Sequence, residues 1–554
     1  MDGLPPPLTN SPSPPSSSAV HPALGDPLDP SASAIGRGLS VEGAEGVPPS
    51  VQRPCRVVVL GGGLSGLTAA YRLSRSGFQG QPLPELVLLE ARERVGGAIW
   101  TDREDGFTFE GGADSFITDK PDALDLCLEL GLELIPTQDH HRRSFVVHRG
   151  RLEPVPEGFV LMAPKRLTPL LTSPILSWRG KLRVLMEPFI PRRSGEDLQD
   201  ESLASFVKRR LGREALERLV QPLVAGIYTA DPNELSLKAT LPRFLEMERS
   251  QGGLIRAARR QERAARAHAA SRNRPDPAAP DPTGSGARYG MFVTPAQGMA
   301  SLIDALAHAL PPGTLRLRTP VRRVVPVPLS SALVEGGEPS RPWRVELLDG
   351  PAIEADAVIL AVEAHAAARL VDGFDSELAR LLRSIPYASS AILNLSFRRD
   401  QIAHPLNGFG AVVAARENRD LLAVSFTSIK FPHRAPEGYV LMRAFFGGAT
   451  RPDLFEHDDE TLRRLALREL SDLLGVRGEP IHVKVARHAR AMPQYILGHL
   501  DRVEAIEQRV ESHPGLALAS NALRGVGVPD CVRSATRAAH AVAQQLGLTC
   551  SHRA

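Results

Sequence analysis

The sequence predicts an α/β fold, and three stretches carry that prediction. The first is Val57-Val58-Val59-Leu60, four apolar residues in a row, the pattern of a strand buried on both faces. It runs into the glycine turn Gly61-Gly62-Gly63-Leu64-Ser65-Gly66, and Leu64 to Leu73 then reads as a helix. The second is Leu86-Val87-Leu88-Leu89, another buried strand, which ends at Glu90. The third is Val358-Ile359-Leu360-Ala361, apolar on both faces as a central parallel strand would be.

Gly61, Gly63 and Gly66 fit the spacing G-x-G-x-x-G. Gly61 permits the sharp turn, Gly63 lets a pyrophosphate approach the backbone, and Gly66 lets the helix pack on the strand. The phosphates would then meet the positive end of the helix that Leu64 and Ser65 open. Glu90, with Ala91 beside it, lies about 20 residues past the glycines, where a carboxylate hydrogen-bonds a ribose hydroxyl. Arg92, Arg94, Gly96 and Gly97 follow at once. Glycine triplets also occur in ordinary turns. The flanking strand, helix and carboxylate favour a Rossmann-like dinucleotide-binding unit.

The chain has 554 residues, too many for one ordinary domain. Hydrophobic content of 42% and charged content of 23% are those of a soluble globular protein. No apolar run approaches the roughly 18 residues that span a bilayer. Net charge is +3, which singles out no polyanionic partner, and no nucleic acid is expected. Cys55, Cys127, Cys531 and Cys550 have no paired or metal-type spacing, which points to a reducing compartment.

Residues 1–53 are rich in Pro, Ser, Gly and Ala and read as a disordered tail without a secretory core. The first part of the nucleotide-binding domain spans 54–135. It includes a short strand at Phe107 that runs into Gly111, Gly112, Ala113 and Asp114, and an amphipathic helix over 122–134 with Leu124, Cys127, Leu128 and Leu130 on its apolar side. A strand pair, 144–147 and 152–155, turns at Arg149-Gly150. It opens a section, 136–290, that holds a mainly helical insertion with segments at 178–187, 201–211, 213–224 and 235–248. Seven arginines between Arg256 and Arg274 read as a solvated helix end leading into a Pro/Asp/Gly loop, with an acidic lipid or partner as the other reading.

A helix at 300–309 and strands at 315–318, 321–325, 344–348 and 357–360 form the domain's second part, 291–365, with a loop over 329–341. Residues 366–490 hold apolar, partly alternating runs at 389–397, 409–413, 421–426 and 439–446, which predict an antiparallel sheet. Residues 491–554 bring a strand at 516–520, the glycine turn Gly525-Val526-Gly527-Val528-Pro529-Asp530, and a helix from Cys531 to Gln545. Adjacent His140 and His141 would point to opposite faces of a strand, so no shared metal is expected. His499 reads as a structural histidine before a proton acceptor.

Several blocks carry a resemblance. Arg94-Val95-Gly96-Gly97 resembles the second motif of amine-oxidase-like flavoproteins and points to FAD rather than NAD. Glu201 to Phe206, Gln221 to Tyr228, Leu235-Ser236, Ala491-Met492-Pro493-Gln494-Tyr495 with Gly498-His499, and Asn521 to Cys531 together resemble the oxygen-dependent protoporphyrinogen/coproporphyrinogen oxidases of haem biosynthesis. The resemblance runs in order over about residues 54 to 547.

That resemblance implies an FAD-binding domain assembled from separated segments, a mixed-sheet substrate domain and a helical subdomain able to meet a membrane. It implies a cytoplasmic enzyme, soluble or peripheral on the inner membrane face, that oxidises a porphyrinogen with molecular oxygen and releases hydrogen peroxide. Contact with another haem-pathway enzyme stays open. Asn521, Gly525, Val526, Gly527, Val528 and Val321 join the cofactor-binding set, with Val526 and Val528 nearest the isoalloxazine. Arg143, or Arg142 if the match slips by one residue, resembles the arginine that binds a propionate. Arg142, Arg143, Arg149 and Arg151 tilt the substrate toward the tetra-propionate coproporphyrinogen III over protoporphyrinogen IX. The family often has Gly where Ser520 stands, and a side chain this small should still permit close flavin approach. An amine or carotenoid oxidoreductase, or a non-catalytic flavin-binding scaffold, stays open as a different class.

Overall fold

The computed structural model describes residues 54–75, 83–138, 143–193, 200–271, 292–328 and 341–548. The tail, His140, His141, Arg142, the 275–286 run, the loop over 329–340 and Cys550 lie outside the described residues.

The described chain opens on β1 (Arg56–Leu60), α1 (Leu64–Ser74) and β2 (Glu85–Leu89). A hairpin of β3 (Thr101–Glu104) and β4 (Phe107–Glu110) precedes α2 (Asp122–Glu129). A second hairpin pairs β5 (Phe145–His148) with β6 (Arg151–Pro154). The helical stretch holds α3 (Trp178–Leu185), α4 (Leu203–Arg210), α5 (Gln221–Tyr228), α6 (Pro242–Gln251) and α7 (Leu254–Ser271). Next come β7 (Leu315–Arg316), β8 (Val321–Pro326) and β9 (Ala357–Leu360). Five strands follow: β10 (Tyr387–Arg398), β11 (Gly410–Val413), β12 (Ala423–Ser425), β13 (Tyr439–Gly447) and β14 (His482–Pro493). Then come β15 (Leu516–Leu518) and α8 (Val528–Gln545).

The first layer is a five-stranded parallel sheet of order β7-β2-β1-β9-β15. Its side chains alternate between two cores. Val57, Val59, Leu86, Leu88, Ala357 and Ile359 pack with α1 and α8. Val58, Leu60, Val87, Leu89, Val358 and Leu360 pack with the helices Ala364–Val371 and Ser376–Arg383. Burial on both faces is why these strands read as continuous apolar runs, each such side chain contributing roughly 1.5–3 kcal/mol.

The second layer is a seven-stranded sheet of order β14-β10-β13-β12-β11-β5-β6, packed against the helix Asp459–Leu474. The expected antiparallel sheet is mixed, because β5 joins it parallel to β11. The helical layer has its own apolar core. Within it Arg210 is fully buried and pairs with Glu187, and Arg209 donates to Glu248 at 2.6 Å. Loss of one partner there would strand a buried charge.

Local differences from the sequence reading have local causes. The helix expected over 122–134 stops at Glu129, because Gly131 adopts φ +71° and Leu134–Pro136 forms a strand. Leu128, expected on its apolar side, is 61% exposed, whereas Leu126 and Cys127 are buried. The 213–224 segment contains a π-helical stretch, Leu216–Val220. The 235–248 segment breaks at Leu241, because Pro242 lacks an N–H and opens α6. The last helix starts at Val528, three residues early.

Candidate active site

Gly61 has φ +107°, and a Cβ there would stand 2.4 Å from Ala361 O. A Cβ on Gly66 would stand 1.8 Å from Gly61 O. Both positions therefore require glycine. Gly63 differs, since a Cβ there would meet nothing within 4 Å. It faces open space at the start of α1, where it gives no side-chain cap. The first helical bond is Leu67 N–H to Gly63 O at 3.0 Å, so the amides of Leu64, Ser65 and Gly66 precede the helical ladder. An uncapped helix N-terminus beside an open glycine has the chemistry of an anion cradle.

Glu90 braces that cradle. Its carboxylate accepts from Gly62 N–H at 2.7 Å and from Arg92 N–H at 2.8 Å. Each oxygen keeps a lone pair for a further donor. Gly96 N–H donates to Gly62 O at 2.8 Å, and Arg94 wraps the same loop by donating to Gly97 O at 2.9 Å. Ala91 and Arg92 are exposed. Val321 opens β8 just after Arg318 and Thr319, whose amides donate to Arg92 O and Glu90 O, each at 2.9 Å. It therefore sits beside the Glu90 end of the cradle.

Gly111 and Gly112 leave β4 beneath Trp100 and Ala98. A Cβ on Gly111 would overlap the Trp100 ring at 1.7 Å, and one on Gly112 would stand 2.2 Å from Ala98 O. Past Ala113, Asp114 receives Lys430 Nζ at 3.0 Å, Arg443 Nη1 at 3.4 Å and Ser115 Oγ at 2.7 Å. Burial pushes the Asp114 carboxyl up, but Lys430 and Arg443 outweigh it and hold it well below the usual carboxylate range. Arg443 also donates to Gly112 O, and His488 bonds Gly111 O at 2.8 Å. The cations of β13 and the segment after β12 thus fasten the glycine doublet to the seven-stranded sheet.

The other wall comes from the far end of the chain. Tyr495 Oη donates to Asn521 O at 2.6 Å and accepts from Gly525 N–H at 2.7 Å. Gly525 has φ +139°, and a Cβ there would stand 2.3 Å from Asp530 Cγ. Asp530 caps α8 by accepting from Gly527 N–H at 3.3 Å, and Lys120 donates to both its oxygens at 2.7 and 2.8 Å. Cys531, in the first turn of α8, hydrogen-bonds Ser65 in the first turn of α1. The two helix N-termini therefore lie side by side, with half-buried Val526 in the loop between Gly525 and Gly527 and buried Val528 at the helix start.

Ser520 does not obstruct this wall. Its hydroxyl accepts from Ala522 N–H at 3.2 Å, within its own turn, and its N–H donates to Ser534 Oγ at 3.2 Å. His499 is fully buried, stacks on Tyr495 at 3.9 Å, and holds Leu523 O at 2.8 Å. Burial lowers its pKa to about 4, so it is neutral and positions the turn. Arg143 is exposed, and its carbonyl accepts from Phe409 N–H at 2.9 Å at the start of β5. Arg149 and Arg151 are exposed at the opposite end of that strand, so Arg143, Arg149 and Arg151 do not form one cationic site.

Tyr495 also ties in the helical layer. Its carbonyl accepts from Ser236 N–H at 2.8 Å, and the neighbouring Gln494 amide donates to Tyr228 O at 3.3 Å. Sequence reading named Tyr495 within a block but gave it no role. It named Asp530 in the glycine turn without a role as well, and it left out Lys120, Lys430 and Arg443. Only Asp530, three residues past a glycine at a helix start, carries a local signal.

Comparison with known proteins agrees with this architecture. The family described as flavin-containing amine oxidoreductase matches residues 64–543. A coproporphyrinogen III oxidase of Bacillus subtilis (strain 168) is 31% identical over 485 residues, 86% of this chain and 95% of its own. One from Propionibacterium freudenreichii subsp. freudenreichii is 34% identical, over 91% of this chain and 93% of its own. A crystal structure from Exiguobacterium sp. 255-15, provisionally assigned as a protoporphyrinogen oxidase, superposes with a TM-score of 0.74 at 30% identity, covering 89% of this chain and 99% of that one. An uncapped α1 against a glycine turn, a braced Glu90 and a second helix N-terminus alongside suit the flavin nucleotide of such proteins, and the chain belongs to the flavin-containing amine oxidoreductase family.

Proposed function

We propose that this chain binds FAD and oxidises coproporphyrinogen III to coproporphyrin III with oxygen as acceptor. The observation that carries the reading is the junction at Tyr495, where the blocks around Tyr228, Ser236 and Asn521–Cys531 meet beside two helix N-termini. The two coproporphyrinogen III oxidases named above, each matched over most of its length, support the same reading.

The reaction removes six electrons and six hydrogens and converts three O2 to three H2O2. FAD, when bound, supplies the hydride acceptor for each two-electron step. The chain's own residues do the holding. The amides of Leu64, Ser65 and Gly66 would meet the pyrophosphate, and the free lone pairs of Glu90 a ribose hydroxyl. Val526 and Val528 would border the ring, and Arg143 would take a propionate. Gain of aromaticity drives the chemistry, so little acid–base apparatus is required. His499, buried and neutral, is not needed for it.

Protoporphyrinogen IX is the second reading, supported by the Exiguobacterium structure. An amine or carotenoid oxidoreductase is a third. Flavin-loaded protein, mixed anaerobically with each porphyrinogen and then given oxygen, is expected to produce coproporphyrin fluorescence faster than protoporphyrin fluorescence. Equal or reversed rates would overturn the coproporphyrinogen preference, and turnover of neither would overturn the porphyrinogen reading.

We also infer a cytoplasmic enzyme that rests on the inner membrane face. Among the described residues no helix is long and apolar enough to cross a membrane. On α3 and the turn after it, Trp178, Leu182, Met186 and Phe189 are 73%, 50%, 50% and 81% exposed. Arg179, Lys181, Arg192 and Arg193 flank them. An apolar stripe with a basic border suits an anionic lipid surface.

A further inference from the structure

Among the described residues, one group of imidazole and carboxylates gathers its ligand atoms within 4.8 Å of one another: Glu104, Asp105 and His482. Glu104 ends β3, Asp105 stands in the turn before β4, and His482 opens β14. The turn is an Asp-Gly pair, Asp105 at φ +50° and Gly106 at φ +78°, which suits a two-residue hairpin connection. It fixes Asp105 at the tip of the hairpin, facing β14.

His482 is oriented from behind. Its side chain is only 10% exposed. Phe107 and Phe109 meet the ring edge-on, with centroids at 5.2 and 5.6 Å. Its cross-strand partner Ser396 is fully buried, places Oγ 2.9 Å from Nδ1, and accepts from the His482 backbone N–H at 3.0 Å. Nε2 is left to face the turn, 3.0 Å from Asp105 Oδ2. With its proton on Nδ1 and donated to Ser396 Oγ, the ring offers a lone pair at Nε2. A metal-bound imidazole is held in this way, through a hydrogen bond at its other nitrogen.

The local charge also fits a dication. Asp102, Glu104 and Asp105 bring three negative charges. Lys484, two residues along β14, brings one positive, with Nζ 3.1 Å from Asp102 and 2.5 Å from Glu104. The remainder is two negative charges. Lys484 keeps Asp102 and the face of Phe109, 5.8 Å away, when Glu104 turns to a metal. Arg103 points to the other side of β3, where it donates to Gln297 O.

We propose that Glu104, Asp105 and His482 form a binding site for a divalent transition-metal ion, zinc by ligand type, which staples the β3–β4 hairpin to the seven-stranded sheet. One imidazole, two carboxylates and a water make a tetrahedral set that zinc accepts. The nitrogen ligand disfavours magnesium and calcium, which take oxygen. Bonds of about 2.1 Å place tetrahedral ligand atoms about 3.4 Å apart, so the set must draw in. Glu104 and Asp105 are exposed, and rotation of their side chains closes it without moving the core. The hairpin matters beyond its own turn. β4 runs on into Gly111, whose carbonyl oxygen bonds His488 at the far end of β14 at 2.8 Å. His482 and His488 thus hold the hairpin to one strand at both ends, and the metal tightens the first hold.

The test uses flavin-loaded protein stripped with a chelator and returned to metal-free buffer. Zinc chloride is titrated by calorimetry into wild type, Asp105→Asn, Glu104→Gln and His482→Gln, and melting temperatures are read with and without zinc. Wild type is expected to bind one zinc per chain more than Asp105→Asn or His482→Gln. Glu104→Gln should hold that zinc at least about tenfold more weakly, the effect of one lost contact. Zinc should raise the melting temperature of the wild type and not that of Asp105→Asn, because only the folded chain assembles the ligands. Magnesium chloride at the same concentration should do neither. Asp105 is 74% exposed, so its variant keeps the fold and decides the matter even where His482→Gln does not fold. No zinc uptake by the wild type, equal uptake and melting shift in Asp105→Asn, or an equal response to magnesium overturns the site.

Discussion

Tyr495 Oη joins Asn521 O to Gly525 N–H, at 2.6 and 2.7 Å, so one phenol fixes both ends of the turn before α8. Tyr495→Phe removes both bonds and leaves a half-buried amide unpaired, a cost of about 1–3 kcal/mol. The variant should fold, melt several degrees lower, and retain less flavin after gel filtration. Wild-type flavin retention would remove Tyr495 from the cofactor wall.

Gly63 and Gly66 should fail in different ways. Gly63→Val places its side chain in open space, so the protein is expected to fold without flavin. Gly66→Ala drives a Cβ into Gly61 O and should lower the melting temperature itself. Absorbance near the flavin band together with calorimetry separates the two. Full flavin occupancy in Gly63→Val would count against the pyrophosphate cradle.

His499 makes stability pH-dependent. Its folded pKa, lowered by burial to about 4, lies below the ordinary 6.5. The unfolded chain binds the proton first, so stability is complete above pH 6.5 and falls as pH drops through 6.5 toward 4. His499→Phe keeps a ring on Tyr495 but removes the titration. The difference in melting temperature between wild type and variant should therefore shrink as pH falls from 6.5 to 4. A constant difference would mean that the imidazole does not titrate with folding.

Arg143→Glu is expected to raise the porphyrinogen KM at least about tenfold, because a like charge would face a propionate. Flavin content should not change, since Arg143 lies on β5's side of the molecule and touches none of the cradle residues by any hydrogen bond described. Unaltered kinetics would take it out of the substrate site.

Trp178→Ser with Phe189→Ser should abolish sedimentation with anionic vesicles while leaving soluble activity intact. Both side chains are more than two-thirds exposed, so the fold loses little. Vesicle binding equal to wild type would assign the stripe another purpose.

The parts legible in the sequence are those whose cause is local. Val57–Leu60, the Gly61 turn and α1 follow each other without a break, and their apolar run and glycine spacing describe the geometry almost completely. The clamps were hidden because they join distant positions: Lys120 to Asp530 across 410 residues, and Lys430 to Asp114 across 316. β14 escaped for another reason. Most of its residues are half-exposed, with Lys484, Arg487 and Arg490 interrupting any apolar alternation, so it carries little periodic signal. The membership of β5 in the seven-stranded sheet was equally invisible, because it depends on parallel pairing with β11, more than two hundred residues later. Leu128 shows the reverse fault: a hydrophobic side chain at a plausible helical position that the shortened α2 leaves in solvent.

The five-stranded sheet ends on β15, and α8 covers the face that α1 begins to cover. During synthesis, β9 therefore remains an open edge until residues 516–518 emerge, and α1 lacks its partner until 528–545 follow. A ribosome-bound chain would expose the apolar face of α1 for most of translation, and the edge of β9 from residue 360 until residue 516. Nascent chains stalled before residue 516 should be the species that chaperones hold, and flavin loading should be a post-translational event.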